Sequence, residues 1–170
     1  ISLEDTWENV RPGGYQPDEA IKDMDLDGVD GAVIFPTRGV GGLWRLEDSE
    51  FLSAICRTYN DWIAEFCRPY PDRLRGAAMI NLDNVAEGVE ELKRAKGLGL
   101  NSCFITIYPK HERQYHSSEY EPFWDAAQSL EMPISLHSGS NRDFLPMNLF
   151  DHADEHQPLG IIYSTNDYWI

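Results

Sequence analysis

An α/β fold built on a parallel sheet is what this sequence predicts, and three observations predict it. Four short, almost continuous apolar runs occur along the chain, the pattern of strands buried on both faces of a parallel sheet. Amphipathic helical stretches separate them, so the order is that of repeated βαβ units. The last run, Pro133-Ile134-Ser135-Leu136-His137, ends in an imidazole and is followed at once by the small residues Ser138 and Gly139. A strand end is where a (β/α) barrel carries its chemistry.

The elements follow in order. Pro17 to Asp27 places Ala20, Ile21 and Met24 at helical spacing, and Gly28 is read as its C-cap. Gly31 to Pro36 is the first strand. Gly39, Gly41 and Gly42 after it lack the spacing of a dinucleotide-binding turn and predict a flexible βα loop. Asp48 to Arg68 is a longer helix with a wide apolar stripe that includes Phe51, Leu52, Ile55, Tyr59, Trp62, Ile63 and Phe66. Gly76 to Leu82 is the second strand. Asn84 or Val85 to Lys96 is a helix stopped by Gly97 and Gly99. Ser102 to Ile107 is the third strand, Glu119 to Leu130 a helix, and Pro133 to His137 the fourth strand. Ser138 to Thr165, rich in Gly, Asn, Asp, His and Pro, has no periodicity and is expected to be a long functional loop.

The 170 residues suffice for one domain with a sizeable core, taken here as 1–170. The formal net charge of −15 repels phosphate backbones and anionic lipid, which argues against nucleic-acid and membrane partners. No apolar run is long enough to span a bilayer. Three cysteines make no disulfide framework: Cys56 and Cys67 fall in one helix, roughly 16 Å apart at ~1.5 Å per residue, and Cys103 lies in a strand. A reducing cytoplasm is the expected location. The start at Ile1 and the end at Trp169-Ile170 read as a segment of something longer.

Several patterns imitate sites. Asp23-Met24-Asp25-Leu26-Asp27-Gly28 resembles the start of a calcium loop, but Ile34 stands where the bidentate Glu is required. His152-Ala153-Asp154-Glu155-His156 matches H-x-x-E-H of inverted zinc proteases. Acidic and polar flanks and Pro158 favour a solvated loop there, and a zinc protease is the weaker alternative. His111 and His116 follow the third strand and read as an exposed loop. His137 taken alone is a weak signal, because lone histidines also serve as core or loop residues.

Lys22-Asp23-Met24-Asp25 to Gly28-Val29-Asp30, Val33-Ile34-Phe35-Pro36, Tyr59-Asn60-Asp61-Trp62-Ile63-Ala64-Glu65-Phe66-Cys67, Pro71-Asp72-Arg73-Leu74-Arg75-Gly76, Tyr120-Glu121-Pro122-Phe123-Trp124 and Pro133 to His137 occur in this order. Together they resemble the amidohydrolase superfamily, in its amidohydrolase-2 branch of aminocarboxymuconate-semialdehyde and resorcylate decarboxylases. The resemblance runs from about Trp7 to His137, and again weakly at Thr165 to Trp169. It implies a partial (β/α)8 TIM barrel, about strands two to five with their helices. It implies a metal-dependent hydrolase or non-oxidative decarboxylase acting on a small carboxylated or cyclic substrate. It also implies one divalent ion, expected to be zinc, with His137 as the strand-five ligand.

The strand-one ligands and the strand-eight Asp that the family uses have no counterpart here, so the catalytic residue is unassigned and the segment alone is expected to be inactive. Strand ends place Phe35, Pro36, Thr37, Asn81, Tyr108, Ser138, Ser140, Asn141 and Arg142 around the pocket. Of these, Phe35, Thr37, Asn81, Ser138, Asn141 and Arg142 are the substrate-binding candidates, Arg142 through its planar fork. Asn60, Asp61 and Trp62 are read as packing and capping residues on the barrel's outside. The competing expectation is a non-catalytic α/β fragment whose open sheet edges drive self-association into homo-oligomers.

Overall fold

The computed structural model describes residues 10–36, 43–110 and 113–142, with the side chains of Tyr108 and of 137–139 left out. Thr37, His111, the 152–156 pattern and the 165–169 segment therefore lie outside the described residues. The elements are α1 (Pro17–Asp27), β1 (Ala32–Ile34), α2 (Ser49–Cys67), β2 (Leu74–Met79), α3 (Val85–Gly97), β3 (Ser102–Tyr108), α4 (Glu121–Ser129) and β4 (Ile134–Asn141). The sheet order is β1-β2-β3-β4 and each neighbouring pair is parallel. With strands added in sequence and each crossover right-handed, the helices collect on one face and the sheet curls as half of a barrel.

Local chemistry sets the helix limits. In α1, Pro17 supplies a preset φ, Asp18 and Glu19 sit in the positive first turn, and Gly28 takes φ 71° to end the helix. The Asp48 carboxylate caps α2 by accepting from the Phe51 N–H at 2.9 Å. The Asn84 carboxamide caps α3, accepting from the Glu87 N–H, and Arg94 and Lys96 lie in its last turn.

Alternation along the strands divides the interior in two. Leu74, Ala78, Ile80, Cys103 and Ile105 join Ile63, Phe66, Leu92, Ala95, Phe123 and Ala127 in the layer between sheet and helices. Met79 and Phe104 join Trp44, Leu52 and Cys56 in a second cluster, with Phe35 and Tyr59 against it. Cys56, Cys67 and Cys103 are buried and free. Burial pushes the Cys56 and Cys103 thiols up to about 12, which fits packing rather than reactivity.

At Gly76 the strand and α2 approach closely. A Cβ there would lie 2.5 Å from Ile63 Cγ1 and 3.1 Å from Leu100 Cδ2. Gly76→Ala is expected to cost about 1–3 kcal/mol through overpacking, read as a lowered urea midpoint. With Ile63→Ala, which removes the γ-carbons in the way, the double variant should lose less than the sum of the two single changes, and strict additivity would reject this account.

The last strand differs from its sequence reading. It does not stop at His137 but continues to Asn141, because the ladder shifts register between Thr106 and Tyr108 and resumes with Tyr108 opposite Asn141. Ser138 to Asn141 are thus strand, not the beginning of the loop. On the outer strands, Val33 and Leu136 are 55% and 40% exposed.

Candidate active-site rim

Residues just past β3 and β4 meet at one carboxylate, Asp83, which itself follows β2. Arg142, directly after β4, donates from Nε to Asp83 Oδ1 at 3.0 Å and from Nη2 to Asp83 Oδ2 at 2.5 Å. This is the two-pronged geometry of a strong ion pair. Both side chains are buried, with relative exposures of 3% and 9%. The remaining end of the guanidinium, Nη1, donates to the carbonyls of Trp44 and Leu46, the latter at 2.8 Å. Lys110, after β3, lies 3.2 Å from Asp83 Oδ2. Arg113 donates to the Asp83 carbonyl.

Burial by itself would raise the Asp83 carboxyl. Hydrogen bonds from Arg142, Ser49 and Lys110, with the Arg142 charge, outweigh burial and hold it below its ordinary value. Asp83 is therefore ionised at physiological pH and faces two cations, Arg142 and Lys110.

Beneath the rim is an aromatic wall. Trp44, only 1% exposed, meets Phe104 edge-on with ring centroids 5.4 Å apart, and Phe35 meets Phe104 at 6.2 Å. Asn81 is buried and its Nδ2 donates to the Ser49 carbonyl and to the hydroxyls of Ser49 and Ser53, while its Oδ1 accepts from the Asp83 N–H. Ser140 Oγ accepts from the Ile107 N–H at 3.0 Å, which fills the gap left by the register shift. Asn141 Oδ1 is buried without a hydrogen-bond partner among the described residues.

The candidates from sequence fall into three groups. Phe35, Asn81, Ser140, Asn141 and Arg142 lie at the strand ends. Of these, Asn81 and Arg142 have their polar atoms engaged by the protein, and the fork of Arg142 that was assigned to a substrate carboxylate is occupied by Asp83. Arg142 is also 7% exposed and not in a solvated loop. His137 and Ser138 lie in β4, the former opposite Thr106, and their side chains are outside the described set. Thr37 is outside it altogether.

Asp83 and Trp44 were missed. The available signal for Asp83 was a lone acidic residue just past an apolar strand, in Asn81-Leu82-Asp83. Among the described residues, no three His, Cys, Asp or Glu side chains gather where an ion could be held. The described side chains therefore do not make a metal centre by themselves.

The family model for Amidohydrolase (Amidohydro_2) matches residues 5–160. The chain is 26% identical over 126 residues to the gamma-resorcylate decarboxylase of Polaromonas sp. strain JS666, covering 71% of this chain and 38% of that protein. It thus spans well under half the length of that curated relative.

Among solved structures, 2,6-dihydroxybenzoate decarboxylase from Rhizobium matches with a TM-score of 0.62 at 24% identity, over 97% of this chain and 44% of that one. Dihydroxybenzoic acid decarboxylase from Polaromonas sp. JS666, with bound manganese and the inhibitor 2-nitroresorcinol, matches with a TM-score of 0.62 at 26% identity, over 80% and 42%.

Proposed function

The chain belongs to the Amidohydrolase family, and from that premise we propose that it forms part of a metal-dependent carboxy-lyase acting on a small hydroxylated aromatic acid. The observation that carries the reading is positional. A parallel half-barrel carries His137 in the fourth of its strands, opposite Thr106, in a fold whose chemistry gathers toward the C-terminal side of the strands and in a chain whose curated relative is a decarboxylase. The imidazole supplies one donor to a single divalent ion, manganese or zinc. The other donors come from residues outside the described set.

The described residues have a more limited task. Phe35, only partly buried, presents the edge-packed aromatic cluster that it forms with the buried Phe104 and Trp44, an apolar surface suited to an aromatic ring. Asn141, with its unpartnered Oδ1, is placed to accept a hydrogen bond from a phenolic hydroxyl. Decarboxylation breaks the ring–carboxyl carbon bond, leaves its electron pair on the ring and requires a proton at that carbon. No described residue is assigned as the donor. Hydrolysis of a cyclic substrate is the neighbouring activity on such a fold, and the decarboxylase relative favours carboxyl removal. Among the described residues no helix is long and apolar enough to cross a membrane. The substrate is a small molecule and the net charge of −15 disfavours polyanionic partners.

The test is incubation of the full-length protein, loaded with manganese, with 2,6-dihydroxybenzoate. Resorcinol and carbon dioxide are the expected products. His137→Ala should lower both bound manganese and turnover at least tenfold, a floor taken from the ~10–100-fold cost of losing even an outer-shell partner. Turnover of a cyclic amide or ester with dihydroxybenzoate left intact would replace this reading by the hydrolase. Unchanged metal content in His137→Ala would remove the imidazole from the site.

A second reading rests on the exposure of Val33 and Leu136 on the two outer strands. Open strand edges invite pairing between copies. Light scattering at several concentrations checks it, with a concentration-independent monomer as the opposing result.

A further inference from the structure

Arg142 and Trp44 belong to opposite sides of the half-barrel. Arg142 extends β4, the last strand of the sheet, and Trp44 lies in the 3-10 turn Leu43–Arg45 that follows β1, the first. The two strands are not neighbours, so no ladder joins them. Their C-terminal extensions are nevertheless tied directly by the bonds from Arg142 Nη1 to the carbonyls of Trp44 and Leu46. Asp83 grips the other edge of the same guanidinium, so the plane of Arg142 is fixed from both sides.

A guanidinium has five N–H donors in a rigid fork, and four are used in these contacts. It cannot also offer a two-pronged grip to a ligand. A residue so engaged holds two walls apart at a set distance.

We propose that Asp83 is a positioning residue for the reaction: by clamping Arg142 it makes a strut across the mouth that fixes the Trp44 turn relative to the end of β4. This rests on the decarboxylase reading given above, because the substrate is placed against those walls. Trp44 packs edge-on against Phe104, and Asn141 immediately precedes Arg142. A shift of the strut therefore moves the aromatic wall and the carboxamide relative to one another. Small displacements of positioning groups can cost ~100-fold in rate.

The test uses Asp83→Asn and Arg142→Lys in the full-length protein, with Arg94→Gln as a control. Arg94 bonds Glu91 and Asp61 away from the rim, so its loss destabilises without touching the strut. Two readouts are taken, amide hydrogen exchange by segment and steady-state kinetics on 2,6-dihydroxybenzoate. Asp83→Asn should speed exchange at 43–46 and 140–142 at least tenfold and leave α3 unchanged. It should raise KM at least fivefold with a smaller change in kcat. Arg142→Lys should do the same, and the double variant should be no worse than either single change, since both break one unit. Arg94→Gln should alter neither KM nor exchange at the rim.

Wild-type exchange at 43–46 or wild-type KM in Asp83→Asn would overturn the proposal. If Asp83→Asn does not fold, Arg142→Lys, which keeps the charge, decides by the same criteria. If the unaltered protein leaves dihydroxybenzoate intact, the decarboxylase reading fails. The exchange data then report on the strut alone.

Discussion

Replacing Arg142 by alanine should destabilise the protein by about 3–5 kcal/mol, the range found when one partner of a buried ion pair is removed. The loss comes less from the missing attraction than from what is left behind. Asp83, with a side chain only 9% exposed, would keep its charge without its two-pronged partner. The carbonyls of Trp44 and Leu46 would lose their shared donor. Lys110 at 3.2 Å is one-third exposed and compensates only in part. A second variant separates these contributions. Adding Asp83→Leu to Arg142→Met should recover much of the stability, because an apolar pair of similar volume leaves no stranded charge. Urea unfolding with an unchanged slope measures both. A loss below about 1 kcal/mol for Arg142→Ala would show that the rim does not depend on this pair.

The same pair has a pH signature. The Asp83 carboxyl is held below its ordinary value in the folded chain, so its contribution is fully present above the unfolded value of about 4. It is lost as pH falls through the lowered folded value. In Arg142→Ala the buried carboxylate can instead relieve its cost by taking up a proton. The stability gap between the unaltered protein and the variant should therefore narrow as pH drops below about 4. A gap that widens on acidification has the wrong sign for this account.

The helices were legible because their signals are local. The limits of α1 coincide with the predicted Pro17 and Asp27, those of α2 differ by one residue at each end, and α3 runs one residue longer at its C-terminus. Apolar spacing, a capping side chain and a terminal glycine all lie within a few residues of each boundary. The parallel order was legible for the same reason, since strand and helix alternate. Strand ends were not. β4 runs four residues past His137 because of pairing with Tyr108 across a register shift, and nothing in Ser138-Gly139-Ser140-Asn141 announces that partner. The rim was least legible. Arg142 and Asp83 are 59 residues apart, and each taken alone looks like a charged loop residue. Asn60 was legible only as a packing or capping residue: it is fully buried, and the sequence does not show which backbone groups it serves.

That burial leads to the other large expected effect, a loss of about 3–5 kcal/mol in Asn60→Ala. β1 pairs with β2 only as far as Ile34 opposite Gly76. Beyond that point no strand among the described residues lies on the β1 side of β2. Ile80 turns its N–H to the Phe104 carbonyl on the β3 side, so the alternation of a parallel ladder sends both polar groups of Met79 to the vacant side. Asn60 answers both. Its Oδ1 accepts from the Met79 N–H at 2.7 Å and its Nδ2 donates to the Met79 carbonyl at 3.0 Å. The second Nδ2 hydrogen goes to Glu91 at 2.7 Å.

A carboxamide carries the same donor and acceptor as a peptide unit, so one side chain of α2 stands in for the next residue of β1. Alanine would leave two buried backbone groups unpaired, at about 1–3 kcal/mol each, and take a partner from Glu91. Asn60→Asp tests the pattern rather than the volume. It keeps the acceptor for the N–H but turns an oxygen toward the Met79 carbonyl and Glu91, and should be at least as harmful as alanine. Exchange of the Met79 amide should accelerate more than that of Ala78 in both variants. Equal acceleration along β2 would mean that Asn60 supports the strand generally and does not complete its edge.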